Sequence, residues 1–174
     1  AGFPNERTVV ANLFKPFVNH FEIFCFVIHC LTTVILVWGM EVLARRFVSN
    51  KYKAWLAVLF TLIPFYNLSL GMVDTYSTGV QASSISTCVV IWGINFFLDR
   101  KYIATAIIIS VATIIHVLEG LDVMMVLSAV LLWEVVNKRA STRTLVSYVA
   151  IFSLTAGIYL VLILKAKSVA GNQG

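Results

Sequence analysis

Every Lys and Arg that lies between two apolar runs of this chain falls on one alternate set of connecting segments. One set holds Arg45, Arg46, Lys51 and Lys53, then Arg100 and Lys101, then Lys138, Arg139 and Arg143. The other set, roughly 71–83 and 116–122, holds no Lys or Arg and carries Asp74, Glu119 and Asp122 instead. The runs between them are long enough for helices that cross a bilayer. Basic residues beside such helices stay cytoplasmic, so the alternation predicts both the spans and their orientation.

Composition agrees with lipid as the solvent. Only 12% of the 174 residues are charged and 60% are hydrophobic, with a mean hydropathy of +0.92; a soluble domain carries about 25% charged residues. The net charge of +5 does not indicate nucleic acid, because the basic residues flank apolar runs rather than forming one continuous patch. They read as orientation signals and as contacts for anionic headgroups. Cys25, Cys30 and Cys88 all lie inside apolar segments and form no C-x-x-C, which suits buried free thiols rather than a disulfide framework.

The expected fold is all-α: a polytopic integral membrane helix bundle of about six transmembrane helices, forming a single domain over residues 1–174. The spans are expected at about 20–44, 54–70, 83–98, 102–118, 121–136 and 145–164, with both termini extracytoplasmic. Pro64 would kink the second span. The polar stretch QASSIST before the third reads as a helical extension buried in protein. Glu119-Gly120 is expected to form the turn between the fourth and fifth helices, since Gly accepts a left-handed helix end. These two helices are short, so their turn is expected below the far surface. Trp38, Trp55, Trp92 and Trp133 suit an interfacial belt. A first span entering from outside, with no basic leader, leads to the expectation that the chain is an internal part of a longer polytopic protein.

The acidic residues divide by side. Glu41, Asp99 and Glu134 lie at inner ends beside basic residues and are expected to pair with them. Glu6, Glu22, Asp74, Glu119 and Asp122 lie outside or at outer ends, together with His20 and His116. An uncompensated polar group at membrane depth usually faces a cavity or a partner. His116 and Glu119 stand three residues apart, a spacing that shares a helix face. The carboxylate could hold the imidazole's tautomer, and the pair could serve as general base, phosphate clamp or two metal ligands. A helix end capped by a His–Glu hydrogen bond is the plain structural alternative. The loop GMVDTYSTGVQASS is the second candidate: Asp74 offers an acid or base, and Tyr76 and Gln81 offer stacking and hydrogen bonds to a sugar or headgroup. His29 lies mid-span without a second histidine at matching depth, which argues against a bis-histidine haem. The chain has no P-loop, G-x-G-x-x-G, G-x-S-x-G or H-E-x-x-H.

From Leu70 to Leu132 the order of features is an outer loop with Asp74 and Tyr76, a span, the basic turn DRKY at 99–102, and an Ala/Ile/Ser-rich span. That span ends at His116, with Gly120 following. About a third of the chain thus resembles the middle spans of GT-C-type glycosyltransferases and bacterial polysaccharide polymerase-like membrane proteins. Their His-Pro-x-x-Gly turn reads His-Val-Leu-Glu-Gly here, with Val117 in place of Pro. The resemblance implies a bacterial cytoplasmic-membrane protein of polysaccharide biosynthesis. It carries over to His116 and Gly120, and loosely to Asp74 and Tyr76; the family's catalytic acid usually lies in a first outer loop upstream of this part.

The resulting expectation is an envelope enzyme that transfers sugar from a polyprenyl-phosphate carrier on the outer face. His116, Glu119 and Asp74 are the candidate catalytic residues. Tyr76, Gln81, Gly120, Asp122 and His20 are the candidate substrate contacts. A divalent cation held by Glu119 and Asp122 is a further possibility. The expected partners are the bilayer, the lipid-linked sugar and remaining or partner membrane spans, with no nucleic acid. A transporter or channel subunit and a non-catalytic scaffold are the alternatives.

Overall fold

The computed structural model describes residues 21–62 and 82–161, and all regular structure within them is helical. In chain order the helices are α1 (Phe21–Phe47), α2 (Lys51–Leu62), α3 (Ala82–Leu98), α4 (Tyr102–Ile115), α5 (Val117–Val136) and α6 (Thr142–Val161). A π-helical turn at Ser153–Gly157 lies within α6.

Two of these, Ile23–Phe47 and Thr142–Val161, are long and apolar enough to cross a membrane. Only 11% and 17% of their most apolar windows are buried inside the protein, so neither is the core helix of a globule. On α1, Ile23, Phe26, Leu31 and Val34 stay exposed while Leu36 is buried. A helix that is apolar all round needs a non-aqueous neighbour on every side. α5 has 20 residues, about 30 Å of helix, but carries Glu119, Asp122 and Glu134. α3 and α4 are shorter, at 17 and 14 residues.

Helix ends follow local chemistry. Arg45 and Arg46 close α1, where cations complement the helix dipole. The Asn50 side chain accepts the backbone N–H of Tyr52 at 2.9 Å and starts α2. Ser141 accepts the N–H of Thr144 at 3.1 Å and starts α6. α3 and α5 end in the same way. Arg100 N–H donates to Phe97 O at 2.8 Å and Lys101 N–H to Phe96 O at 2.9 Å; Lys138 N–H donates to Val135 O at 3.0 Å and Arg139 N–H to Glu134 O at 2.8 Å. Both are Schellman turns. The residue that must turn left-handed, usually Gly, is Arg100 (φ 60°) in one and Lys138 (φ 59°) in the other.

α4 is the central element, in contact with α3, α5 and α6. Its buried face is mostly small or hydroxylic: Thr105, Ala106, Ser110, Ala112 and Thr113, with Ile109 among them. Ser110, Thr105 and Thr113 donate to the carbonyl four residues back, which satisfies their hydroxyls inside the bundle. Small residues let helix backbones approach closely. Below α4, Phe97 meets Tyr102 and Tyr148 edge-on, with ring centroids 5.4 and 6.4 Å apart.

α1 runs parallel to α3. Gly39 lies against Ile91 and Trp92, the Trp92 indole N–H donates to Ile35 O at 3.2 Å, and buried Asn95 donates to Gly39 O at 2.9 Å. Arg46 closes this seam. Its Nε donates to Asn95 Oδ1 at 3.3 Å, and its Nη1 lies 2.8 Å from Asp99 Oδ1. Because successive helices from α3 onward run antiparallel, the turns at 99–101 and 137–141 and the end of α1 share one end of the bundle. The α4–α5 corner is at the other.

Several expectations are revised. The α4–α5 break falls at His116, and Glu119 and Gly120 belong to the first turn of α5. The physical reason is that a single extended residue reverses the chain, so no left-handed glycine is needed. Glu41 pairs with Arg45, and Asp99 with Arg46 and more distantly Lys101, as basic-neighbour pairing predicts. Glu134 instead accepts the Tyr102 hydroxyl at 2.9 Å and makes no ion pair among the described residues. Trp92 is drawn from belt duty into the α1–α3 seam, where it meets Trp38 at 5.1 Å. Pro64 lies outside the described residues.

The Arg46 guanidinium holds the Asp99 carboxyl below its ordinary range. A carboxylate with a lowered folded-state pKa contributes stability above its unfolded pKa of about 4 and loses it as pH falls through the folded value. The melting temperature of Asp99→Asn in detergent should therefore lie below wild type near neutrality, and the gap should narrow as pH drops under about 4. A gap unchanged across that window would remove the electrostatic account of the contact.

Candidate functional site

The polar corner at the end opposite the basic turns is built around one residue. His116 has φ −143° and ψ 101°, and it ends α4 and begins α5 at once. Its N–H donates to Ala112 O at 2.8 Å, its carbonyl accepts from Gly120 N–H at 3.1 Å, and its Nδ1 accepts the Glu119 N–H at 3.4 Å. An Nδ1 that accepts this bond carries no hydrogen, which leaves Nε2 as the ring's donor.

The break is possible because α4 and α5 touch without an intervening side chain. A Cβ added to Gly120 would lie 2.4 Å from Thr113 Cα and 2.5 Å from Thr113 N. Gly120 is thus required by closeness of approach rather than by a left-handed backbone.

This register turns Glu119 toward α3. Its Oε1 lies 2.6 Å from Thr87 Oγ1, while Oε2 is buried with no hydrogen-bond partner. Thr87 Oγ1 has one hydrogen and two acceptors in reach, Glu119 Oε1 and Ser83 O at 2.9 Å. The carboxyl group is therefore held whether it accepts that hydrogen or donates its own. Ser84, Ser86 and Thr113 are buried beside it, and Ser86 reaches Ala112 O at 3.4 Å. Of the QASSIST stretch anticipated as a buried extension, residues 82–87 form the start of α3 with Ser84 and Ser86 buried, and Gln81 lies outside the described residues.

The structure thus brings together His116, Glu119 and Gly120, though not as a side-chain pair: the imidazole meets the Glu119 backbone and the carboxylate meets Thr87. Asp122 is exposed one turn further along α5. Asp74, Tyr76, Gln81 and His20 lie outside the described residues. Thr87 was not singled out from sequence. Its signal was a hydroxyl-rich helix start, but its partner is 32 residues away. Among the described residues no three His, Cys, Asp or Glu side chains gather where one metal ion could be held.

Fold and site define an all-helical bundle in which two helices are long and apolar enough to cross a membrane, with a recessed hydroxyl–carboxyl corner. Comparison of the chain with protein-family models, with curated proteins and with solved structures finds no match.

Two of the buried glycines, Gly93 and Gly120, should behave differently. Gly120→Ala presses on backbone that cannot yield and should cost about 3 kcal/mol or more. Gly93→Ala meets the flexible end of Ile109, 2.5 Å away, and should stay within about 1 kcal/mol of wild type. Thermal unfolding of the purified variants checks the order; equal losses would count against the tight α4–α5 contact.

Proposed function

We propose that the chain is a six-span integral membrane bundle whose basic turns face the cytoplasm and whose His116–Glu119 corner faces the extracytoplasmic side. The basic residues gathered at one end support that orientation through the preference of Lys and Arg for the cytoplasmic face. The most economical reading of the corner is a site for glycosyl transfer from a polyprenyl-phosphate-linked sugar, in keeping with the resemblance to GT-C-type middle spans.

The observation that carries this reading is the buried, unpartnered Oε2 of Glu119, set beside Thr87 at a helix junction. A polar atom with no partner is costly inside a protein, and where one persists it is a candidate for chemistry. In the proposed reaction an acceptor hydroxyl oxygen bonds to the anomeric carbon as the carbon–oxygen bond to the carrier phosphate breaks. The hydroxyl proton passes to the Glu119 carboxylate as general base, and the departing phosphate takes the electron pair. The Nε2–H of His116 donates to a carrier phosphate oxygen. α4 spans only about 21 Å, less than the roughly 30 Å hydrocarbon core, so the corner lies below the surface where a lipid-borne phosphate can reach it.

Two experiments test separate parts. In a background with Cys25, Cys30 and Cys88 replaced by Ser, Asp122→Cys should react with an impermeant maleimide added outside intact cells. Arg100→Cys should react only after permeabilisation, and the reverse pattern would overturn the orientation. Glu119→Gln and His116→Ala should each lower transfer from lipid-linked sugar in right-side-out or solubilised membranes by at least about 100-fold, with insertion intact. Undiminished transfer in both variants would eliminate the catalytic reading and favour a scaffold role.

A further inference from the structure

At the opposite end of the bundle a cleft of about 580 Å³ opens between the starts of α4 and α6. Its size falls in the range of small-molecule sites. Arg100, Lys101 and Arg143 stand around it, Ser141, Thr144 and Ser147 contribute hydroxyls, and Tyr102, Ile103 and Ala104 form an apolar wall. No carboxylate lines it. Asp99 is engaged by Arg46 and Glu134 by the Tyr102 hydroxyl, and neither Arg100 nor Arg143 forms an ion pair among the described residues.

Arg100 reaches the cleft from a left-handed position (φ 60°) where a residue other than Gly costs about 1–2 kcal/mol. Beyond Ile103 the cleft runs onto a stripe of α4 side chains, Ile103, Ile107 and Val111, exposed by 59%, 47% and 44%. The surface is therefore cationic at its mouth and apolar along one flank.

We propose that this cleft binds the phosphate headgroup of an anionic phospholipid, with one acyl chain lying along Ile103, Ile107 and Val111. Guanidinium groups match a phosphate by paired, charge-assisted hydrogen bonds, and an unscreened pair of them beside an apolar wall is complementary to a phosphodiester that carries a hydrocarbon tail. Free phosphate would satisfy the cations but leave the apolar flank unused. The site lies at the other end of the bundle from Glu119. It rests on the membrane placement and not on the sugar-transfer reading.

Native mass spectrometry of the detergent-purified full chain, with phosphatidylglycerol or phosphatidylcholine added, tests it. Wild type should retain one phosphatidylglycerol in preference to phosphatidylcholine, and Arg100→Gln with Arg143→Gln should weaken that retention at least about tenfold. Lys138→Gln with Arg139→Gln removes as much charge outside the cleft and should leave it unchanged. Ser147→Leu fills the cleft without altering charge and should also weaken retention. Equal loss in both double variants, no loss with Ser147→Leu, or full displacement of the lipid by millimolar inorganic phosphate would each overturn the assignment. A wrong membrane orientation shows itself separately, in the maleimide pattern.

Discussion

Where Gly120 meets the backbone of Thr113, two helices touch with nothing between them, and the polar end of the bundle is organised by that contact. It lets the chain reverse through His116 alone. The reversal puts the His116 ring at the start of α5, so that Nδ1 is occupied by a backbone N–H, and it sets the rotation of α5 that carries Glu119 to Thr87. A side chain at 120 would push α5 away from α4 and take the carboxylate with it. The geometry of the candidate site is thus a product of helix packing more than of the polar groups themselves.

The other end is organised by charge. Two Schellman turns with a cation in the left-handed position close α3 and α5, and Arg46 ties the end of α1 to Asn95 and Asp99 of α3. The polar contacts here are local or single-clamp, joined by the aromatic edges of Phe97, Tyr102 and Tyr148, whereas the middle of the bundle is held by small residues on α4. A bundle assembled this way has specific polar fastenings at its two ends, and between them small and apolar residues interrupted by hydroxyls, such as Ser110 and Thr155, that bond inside the bundle. That division suits helices whose outer surfaces, as on α1, are apolar in every direction.

Much of the helical architecture was legible in the sequence because hydropathy and the alternating Lys and Arg are properties of segments. The helices fall in the apolar runs, and the basic turns gather at one end of the fold. The details of the site were less legible. The three-residue spacing of His116 and Glu119 suggests a shared helix face only if the helix continues through 116, and nothing in hydropathy marks one extended residue. The Thr87–Glu119 and Tyr102–Glu134 contacts each join positions 32 residues apart, which no local pattern encodes. Glu134 beside Lys138 and Arg139 looked like an ion pair because sequence nearness was read as spatial nearness; the Schellman turn sends those cations elsewhere. The position of Trp92 near a span end suits an interfacial belt, but Gly39 opens a seam that receives it.

The π-helical turn at Ser153–Gly157 has a consequence of its own. A turn of this kind accommodates one extra residue per helical repeat, and one residue corresponds to about 100° of rotation. The tail of α6 beyond Gly157 is therefore phased independently of the segment that buries Tyr148 and Phe152. Thr155 Oγ1, inside the turn, has Ser110 Oγ of α4 and Ile151 O both within hydrogen-bond reach, its single hydrogen serving one of them at a time, and this fastens the offset to α4. α6 in effect presents two differently aimed apolar faces along one axis, so that the neighbour it meets near Tyr148 need not be the neighbour it meets near Ile158.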